Sequence, residues 1–366
     1  MRSSVSEKVC IAGGGLAGCL LLVALKNKWP DVIVELHEKS SILCGDHTWS
    51  FHHDDVPKAF WPWLEPLVTC SWPFYQVFFP RYERQFNSKY YSIKSKDLAR
   101  KILEQYADSV FLNSSLDLVQ ADFITVGWPP MSKPESFGYQ KFVGLEVTTA
   151  EPHGLKGPIL KDVREPQTDG YRFFYVLPWS DHKLLIEDTY YSNSPQLNFE
   201  NIKSEILRYA DRHGWKISEI NSREMGSLPL EMIRQDLKNA NKSFGAAAGL
   251  AHPVTGYTLP LILQQIDSVL DLDQFKMGSI KKSLELRNKK LSKNFSFYRL
   301  LNRMMFKAAV PEKRYVILER FYRLSEPLIQ RFYAGQTTFF DRIRILSGKP
   351  PVPLSQAIMC LKESRP

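Results

Sequence analysis

Residues 9–18 read VCIAGGGLAG and run into CLLLVALKNK (19–28) and then VIVELHEK (32–39). The apolar start predicts a strand over Val9–Ala12. Glycines follow at 13, 14, 15 and 18, then an apolar helix pattern, a second strand over Val32–Leu36, and an acid at Glu38. Strand, glycine turn, helix, strand and acid in that order are the parts of a dinucleotide site. Gly13 allows the tight turn and Gly15 lets the backbone approach a pyrophosphate. Gly18 permits close helix and strand packing, while the helix amides at Leu16 and Ala17 face the phosphates. Glu38 lies 25 residues after Gly13, placed to accept hydrogen bonds from a ribose diol. A carboxylate there disfavours a 2′-phosphate, so the nucleotide is FAD or NAD rather than NADP. An ordinary glycine-rich turn in an α/β protein is the competing interpretation.

The rest of the composition fits such a protein. The 366 residues are enough for two domains or one large elaborated unit, and 44% hydrophobic with 13% aromatic residues supports real cores. Five cysteines (Cys10, Cys19, Cys44, Cys70, Cys360) form no C-x-x-C pair and read as reduced residues of a cytosolic protein. The glycine-rich strand begins too near the start for a cleaved leader to be expected. The longest apolar run, Val9–Leu25, is broken by glycines, so no membrane span is expected.

Charge is concentrated in one region. Lys276–Arg323 holds 14 basic and 3 acidic side chains, a balance of +11 against +9 for the whole chain. This stretch mixes KKSLELRNKK with FSFYRLLNRMMFKAAV, and RFYRL and RFYAG follow. An amphipathic surface on an anionic bilayer and a solvated helix face with core aromatics both fit it. The apolar stripe argues against nucleic acid as the partner.

The expected organisation is α/β: an FAD-binding Rossmann-like domain, an inserted mixed or antiparallel β-sheet domain for substrate, and a helical C-terminal region. Residues 1–60, 96–130 and 240–274 are assigned to the nucleotide domain, 61–95 and 131–239 to the sheet domain, and 275–366 to the basic helical part. Strands are expected at Tyr75–Phe79, Phe137–Val147, Tyr171–Leu177 and Lys183–Tyr191, and helices at Lys96–Tyr106 and Phe199–His213. Residues 243–270 read as a strand, a glycine-rich crossing and a long apolar helix.

No nucleophile elbow, phosphate loop or zinc spacing is present. The histidines of HTWSFHHDD (47–55) lack a recognisable distant ligand set, so the segment reads as a cofactor or substrate loop and no metal site is assigned. Glu187 and Asp188 in LLIEDTYY are a more informative pair. Only one of two adjacent strand residues faces a given side, and desolvation raises a buried acid toward the range of a general acid. Glu146 in FVGLEV has a similar setting. In GLAHPVTGYTLP (249–260), a helix N-terminus after His252, Pro253 and Gly256 could aim amides at a flavin.

These blocks together resemble the flavoprotein-type bacterial lycopene beta-cyclases of carotenoid biosynthesis. The resemblance runs nearly end to end, through IAGGGLAG, GDHTWSFHHDD, FNSKYYSI, GYQKFVGLE, EPHGLKGPIL, DGYRFFYVLP, LLIEDTYY, GLAHPVTGYTLP, FYRLLNRMMF, RFYAG and DRIRILSGKPPVP. It implies an isomerase that closes the linear ends of lycopene or a related carotenoid to β-ionone rings. It also implies dependence on reduced FAD, with NADPH or NADH as electron donor, and peripheral contact with an anionic membrane on its cytoplasmic side.

For the residues, the resemblance implies proton transfer by Glu187 with Asp188 as a possible partner, and secondary roles for Glu146 and Asp162. It puts His47, Thr48, Trp49 and Phe51 in a loop beside flavin or substrate, and His252, Pro253, Thr255, Gly256 and Tyr257 beside the cofactor. Two departures stand out. TVGWPP supplies Gly127 and Trp128 without the acid and arginine of the related Asp-Gly-Arg-Gly segment, and Val147 replaces an aromatic, which bears on cation stabilisation or substrate fit. A flavin monooxygenase acting on an apolar isoprenoid or aromatic substrate, and a carotenoid- or lipid-binding protein that keeps FAD for stability, are the competing functions.

Overall fold

The computed structural model describes residues 7–126, 138–230, 241–348 and 352–362; Gly127 and Trp128 lie outside them. In chain order the described strands begin with β1 (Lys8–Ala12), β2 (Ile33–His37), β3 (Thr48–His52), β4 (Cys70–Trp72), β5 (Tyr75–Phe79), β6 (Tyr82–Phe86) and β7 (Tyr90–Lys94). They continue with β8 (Val110–Phe111), β9 (Phe123–Ile124), β10 (Tyr139–Thr149), β11 (Ile159–Asp162), β12 (Tyr171–Ser180), β13 (Lys183–Ser192) and β14 (Ile217–Pro229). The helices are α1 (Leu16–Lys28), α2 (Trp61–Leu64), α3 (Ser95–Tyr106), α4 (Phe199–Arg212) and α5 (Leu259–Leu270). The C-terminal region adds α6 (Met277–Arg303), α7 (Tyr315–Phe321), α8 (Glu326–Tyr333), α9 (Phe339–Leu346) and α10 (Leu354–Lys362).

The glycine-rich unit forms a four-stranded parallel sheet in the order β8-β2-β1-β9. Every residue of α1 from Leu16 to Leu25 is buried, as expected for a helix that is apolar all round and enclosed on all sides. It packs on its own sheet and against α3 and α5. Among the described residues no helix is long and apolar enough to cross a membrane.

A seven-stranded sheet, β14-β10-β13-β12-β11-β5-β6, is antiparallel except where β11 meets β5. Because side chains alternate, its two faces serve different layers. Val143, Val147, Phe174, Val176 and Ile186 pack against Ile202, Ile206 and Tyr209 of α4. Tyr171, Phe173, Leu177, Leu185 and Tyr191 pack toward Phe295, Tyr298, Phe321 and Phe332 of the C-terminal helices. A fully buried guanidinium, Arg314, fastens those helices to the sheet. It donates to the carbonyls of Tyr191 (3.1 Å), Met305 (3.1 Å) and Phe306 (3.2 Å) and to Asn193 Oδ1 (2.8 Å). A third sheet, β3-β7-β4, is antiparallel.

Four features differ from the sequence expectation. Residues 48–52, read as loop, form β3 because Tyr90–Lys94 offers them a complete antiparallel partner. The charged segment Ile217–Pro229 forms the 13-residue edge strand β14, where one polar face stays in solvent. No strand forms over 243–250. Ser243 makes one bridge to Ile124, and a 3-10 turn over Gly245–Ala248 ends at Gly249 in the left-handed region, φ +67°.

The stripe of α6 is the fourth. Ile280, Leu284, Asn288, Leu291, Phe295, Tyr298 and Asn302 recur three or four residues apart and are all buried inside the protein. The apolar pattern that suggested lipid therefore belongs to the core, and Lys282, Lys289, Lys290 and Lys293 occupy the exposed side.

Candidate active site

At the glycine turn, each glycine does separate work. A Cβ on Gly13, whose φ is +111°, would lie 2.7 Å from Val126 N, and one on Gly18 would lie 2.0 Å from the Gly13 carbonyl oxygen. A Cβ on Gly15 would meet nothing within 4 Å, so the helix N-terminus opens on space that a phosphate can approach closely. Glu38 stands beside that opening. Its Oε2 accepts from the Gly14 N–H at 2.7 Å and its Oε1 accepts from the Ser40 N–H and hydroxyl, both at 2.9 Å. A carboxylate oxygen has two lone pairs, so this arrangement leaves acceptor capacity for a diol. The residues present thus fit an adenine dinucleotide.

Glu187 lies on the face of the seven-stranded sheet that looks toward the C-terminal helices. Register sets one row across four strands: Glu224 (β14), Gly144 (β10), Glu187 (β13) and Tyr175 (β12). Gly144 has no side chain to fill the gap between the two acids; a Cβ there would come 3.3 Å from Leu185 and 3.7 Å from Glu187 Cβ. Burial pushes the Glu187 carboxyl up to about 7 from its ordinary 4.5. The hydrogen bond from Thr189 opposes the shift, Glu224 adds to it, Lys161 opposes it and Asp188 adds to it.

Lys161, on β11, faces the same side. Its Nζ sits 3.3 Å from the centroid of the Phe173 ring, and burial pushes the amine down to about 7, with Glu187 opposing the shift. Lys161, Tyr171, Tyr191, Thr255, Phe332 and Tyr333 form the inner wall of a cavity of about 310 Å³. Val254, Leu301 of α6, Met304 and Met305, and residues from α7 to α10 complete its lining. Glu187 is not in that wall; it lies farther along the same sheet face, next to Lys161 electrostatically.

Alternation sends Asp188 to the opposite face. There it is fully buried and accepts from Arg172 at 2.6 and 2.9 Å and from the Tyr190 hydroxyl at 2.9 Å. Asp188 is therefore an ion-paired element of the α4 layer, on the face opposite Glu187 and the cavity. Asp162 is likewise buried in that layer, accepting from Arg164 at 2.6 and 2.8 Å and from the Tyr209 hydroxyl at 2.9 Å. Val147 also faces α4, so the aromatic it replaces would not border the Glu187 face. Glu146 does share that face, but it is held by Lys94 at 2.7 Å, whose ammonium in turn lies over Trp179.

The loop after β2 reaches the same row. His47 Nδ1 lies 3.2 Å from Glu224 Oε1, and this hydrogen bond holds the imidazole above its usual range. In β3, Thr48 and Trp49 are half-buried and Phe51 is buried. Tyr175 donates to Ser50 Oγ at 2.8 Å, and its hydroxyl lies 3.1 Å from that of Tyr90.

His252 is a core residue. Its ring packs 4.4 Å from Tyr298 and 5.1 Å from Phe332, and burial pushes it down to about 3, so it stays neutral. Its carbonyl accepts from the Thr255 (3.1 Å) and Gly256 (2.8 Å) amides, shaping a turn with Gly256 at φ +66°. Pro253 is buried in this turn, Thr255 reaches the cavity, and Tyr257 donates to Asp55 Oδ2 at 2.9 Å.

Sequence reasoning missed Lys161, Tyr175 and Glu224. Their signal was available only in the pairing of strands, since each is an ordinary member of its own segment. It also missed a trio, Cys10, Glu35 and His37, whose ligand atoms lie within 4.8 Å of one another. Lys8 pairs with Glu35 at 2.8 Å and Ser114 holds His37 at 2.9 Å.

A parallel nucleotide-binding sheet joined to a large mixed sheet and a helical region defines the FAD-dependent oxidoreductase and halogenase class of folds. A geranylgeranyl bacteriochlorophyll reductase-like protein from Thermoplasma acidophilum superposes with a TM-score of 0.56 at 12% identity, covering 98% of this chain and 100% of that one. The lanthipeptide tryptophan 5-halogenase MibH also gives 0.56, at 13% identity, covering 98% and 90%. Sequence is more specific. The chain belongs to the lycopene cyclase family, whose model matches residues 8–359. It is 37% identical to a lycopene beta-cyclase of Pantoea ananas, over 96% of this chain and 97% of that protein. To one of a Paracoccus species it is 36% identical, over 98% of each.

Proposed function

We propose that this protein is a lycopene beta-cyclase that converts the linear ψ ends of lycopene to β-ionone rings, with reduced FAD bound and without net oxidation or reduction. Glu187 carries the proposal: a carboxyl raised to about 7 holds a transferable proton at neutral pH. It donates that proton to C2 of the terminal double bond, leaving a tertiary cation at C1. The C5=C6 alkene attacks C1 to close the ring, and loss of the C6 proton restores neutrality, so one proton enters and one leaves.

Water would trap such a cation, and the apolar lining helps keep it out. The faces of Tyr171, Tyr191 and Tyr333 can stabilise positive charge without acting as nucleophiles. Burial holds the Tyr333 hydroxyl up at about 12, so it stays neutral. Gly13, Gly15, Leu16, Ala17, Gly18 and Glu38 would hold the adenine dinucleotide, with His47, Thr48, Thr255, Gly256 and Tyr257 toward the ring end. Reduced flavin bound there would supply negative potential, with NADPH or NADH as the source of its electrons. A water-insoluble substrate and the exposed lysines of α6 support a peripheral position on the cytoplasmic side of the membrane.

The test is purified protein with lycopene, FAD, lipid and an anaerobic reductant. β-Carotene or its one-ringed precursor is expected. No product while an established cyclase succeeds in parallel would refute the proposal, and oxygen-dependent NAD(P)H consumption with a product one oxygen heavier would replace it with monooxygenase chemistry. Glu187→Gln should abolish turnover and leave flavin bound.

A further inference from the structure

The two most exposed large apolar side chains of the C-terminal region are adjacent phenylalanines on α9. Phe339 and Phe340 are 71% and 79% exposed, and Ile343 and Met359 also face solvent. Phe339, Ile343 and Leu346 recur four and three residues apart and so share one face of α9. The opposite side is fastened. Thr338 and Asp341 form a capping box, and Arg331 donates twice to Asp341 at 2.6 and 2.7 Å, holding its carboxyl down at about 2. The aromatic pair cannot turn inward without breaking that anchor.

The patch is continuous with the cavity. Leu346 and Ile358 are close to half exposed, 47% and 46%, and also line the interior space along with Ile345, Val352 and Ala357. They mark its mouth. Arg344, on the same helix, is exposed, so a cationic side chain accompanies the apolar ones.

We propose that this lip of α9 and α10 sits in an anionic bilayer and is the doorway through which the polyene passes from lipid to the cavity; the proposal rests on the cyclase function above. A bilayer is the occupant favoured by the open passage from patch to cavity, by Arg344 beside it, and by a substrate that resides in lipid. The basic face of α6 would then add electrostatic attraction.

The test uses vesicles of phosphatidylcholine and phosphatidylglycerol with or without lycopene. In the double variant Phe339→Glu with Phe340→Glu, the vesicle-bound fraction should fall about tenfold, as expected when charge replaces inserted rings. Turnover of vesicle-borne lycopene should fall with it, while turnover of detergent-solubilised lycopene stays at the wild-type rate. A second variant, Phe340→Trp, keeps the patch apolar; the emission it adds over wild type, whose eight tryptophans give the baseline, should shift to the blue on vesicles and be quenched by lipids brominated on the acyl chain. An unquenched tryptophan on bound vesicles would overturn the proposal. So would wild-type vesicle turnover in the double variant, or a dimer in sedimentation that the same variant dissolves. Quenching without any cyclisation in detergent or vesicles would instead uphold the bilayer contact and refute the cyclase function.

Discussion

Replacing Lys161 with Met should release the enzyme from inhibition at acid pH. Proton donation needs Glu187 protonated, and its raised pKa means that this fraction falls as pH rises through about 7. A developing carbocation needs Lys161 neutral, and its lowered pKa means that this fraction rises as pH passes about 7. The two requirements together give a bell-shaped profile with its maximum near neutrality, its limbs belonging to the interacting pair. Lys161 is on β11 and Glu187 two strands away on β13, a separation of about 10 Å at ordinary strand spacing. A unit charge at that distance costs about 1.7 kcal/mol at an effective dielectric constant near 20, or about 17-fold in rate.

At pH 6 only about a tenth of Lys161 is neutral, so wild-type turnover is suppressed about six- to tenfold relative to Lys161→Met. The other charged or titratable groups around the pair are Glu224 on β14, Tyr171 and Tyr175 on β12, Asp188 and Tyr191 on β13, Arg320 on α7 and Tyr333 on α8. All are retained in the variant. The assay is anaerobic cyclisation of detergent-solubilised lycopene from pH 5.5 to 8.5, with products separated by chromatography. The variant should lose the rising acid limb and keep the falling alkaline one. An unchanged acid limb would refute the argument, and loss of activity at every pH would show that the amine is required for chemistry instead.

Stability measurements give three further expectations. Glu187 binds more protons folded than unfolded between pH 4.5 and about 7, so its burial destabilises progressively as pH rises through that window; Glu187→Gln should melt higher than wild type at pH 8 and alike below pH 4.5. Asp188→Asn should cost about 1–3 kcal/mol in denaturant unfolding, because it takes the bidentate carboxylate from buried Arg172 and leaves it Glu205, at 3.0 Å, as its remaining anionic partner. A loss of activity without that destabilisation would return Asp188 to a chemical role. In the glycine turn, Gly18→Ala should cost about 1–3 kcal/mol through overpacking. Gly15→Val should instead fold normally but lose flavin absorbance after gel filtration, and equal flavin content in wild type and Gly15→Val would show that the pyrophosphate lies elsewhere.

What could be read from the chain was what is encoded locally. The β1-α1-β2 unit is set by glycines and apolar residues within 30 positions, and the strands from Tyr139 to Ser192 by aromatic and β-branched runs. Glu187 could be singled out because an acid within an apolar strand is costly unless used. Its surroundings could not. Lys161, Tyr175 and Glu224 come near Glu187 only once β10 is inserted between β13 and β14 and each strand takes its register, and nothing in ISEINSREMGSLP separates an edge strand from a polar loop. The stripe of α6 misled for the same reason: a helical period fixes that one face is buried, but not whether lipid or protein covers it.

The period of two in the IEDT strand resolves what its composition leaves open. Glu187 and Asp188 have the same charge and adjacent positions, yet burial acts on them against different partners. Asp188 meets Arg172, which neutralises it in place and ties β13 to β12 across the α4 layer. Glu187 meets a threonine hydroxyl, a second carboxylate and a lysine that is itself poorly solvated, so the cheapest state of the group is the protonated one. One acid is thereby fixed as structure and its neighbour left as a proton reservoir. A one-residue slip of β13 would exchange the two, taking Asp188 away from Arg172 and turning Leu184 and Ile186 off the α4 core. The register that protects the core is thus the register that presents the acid.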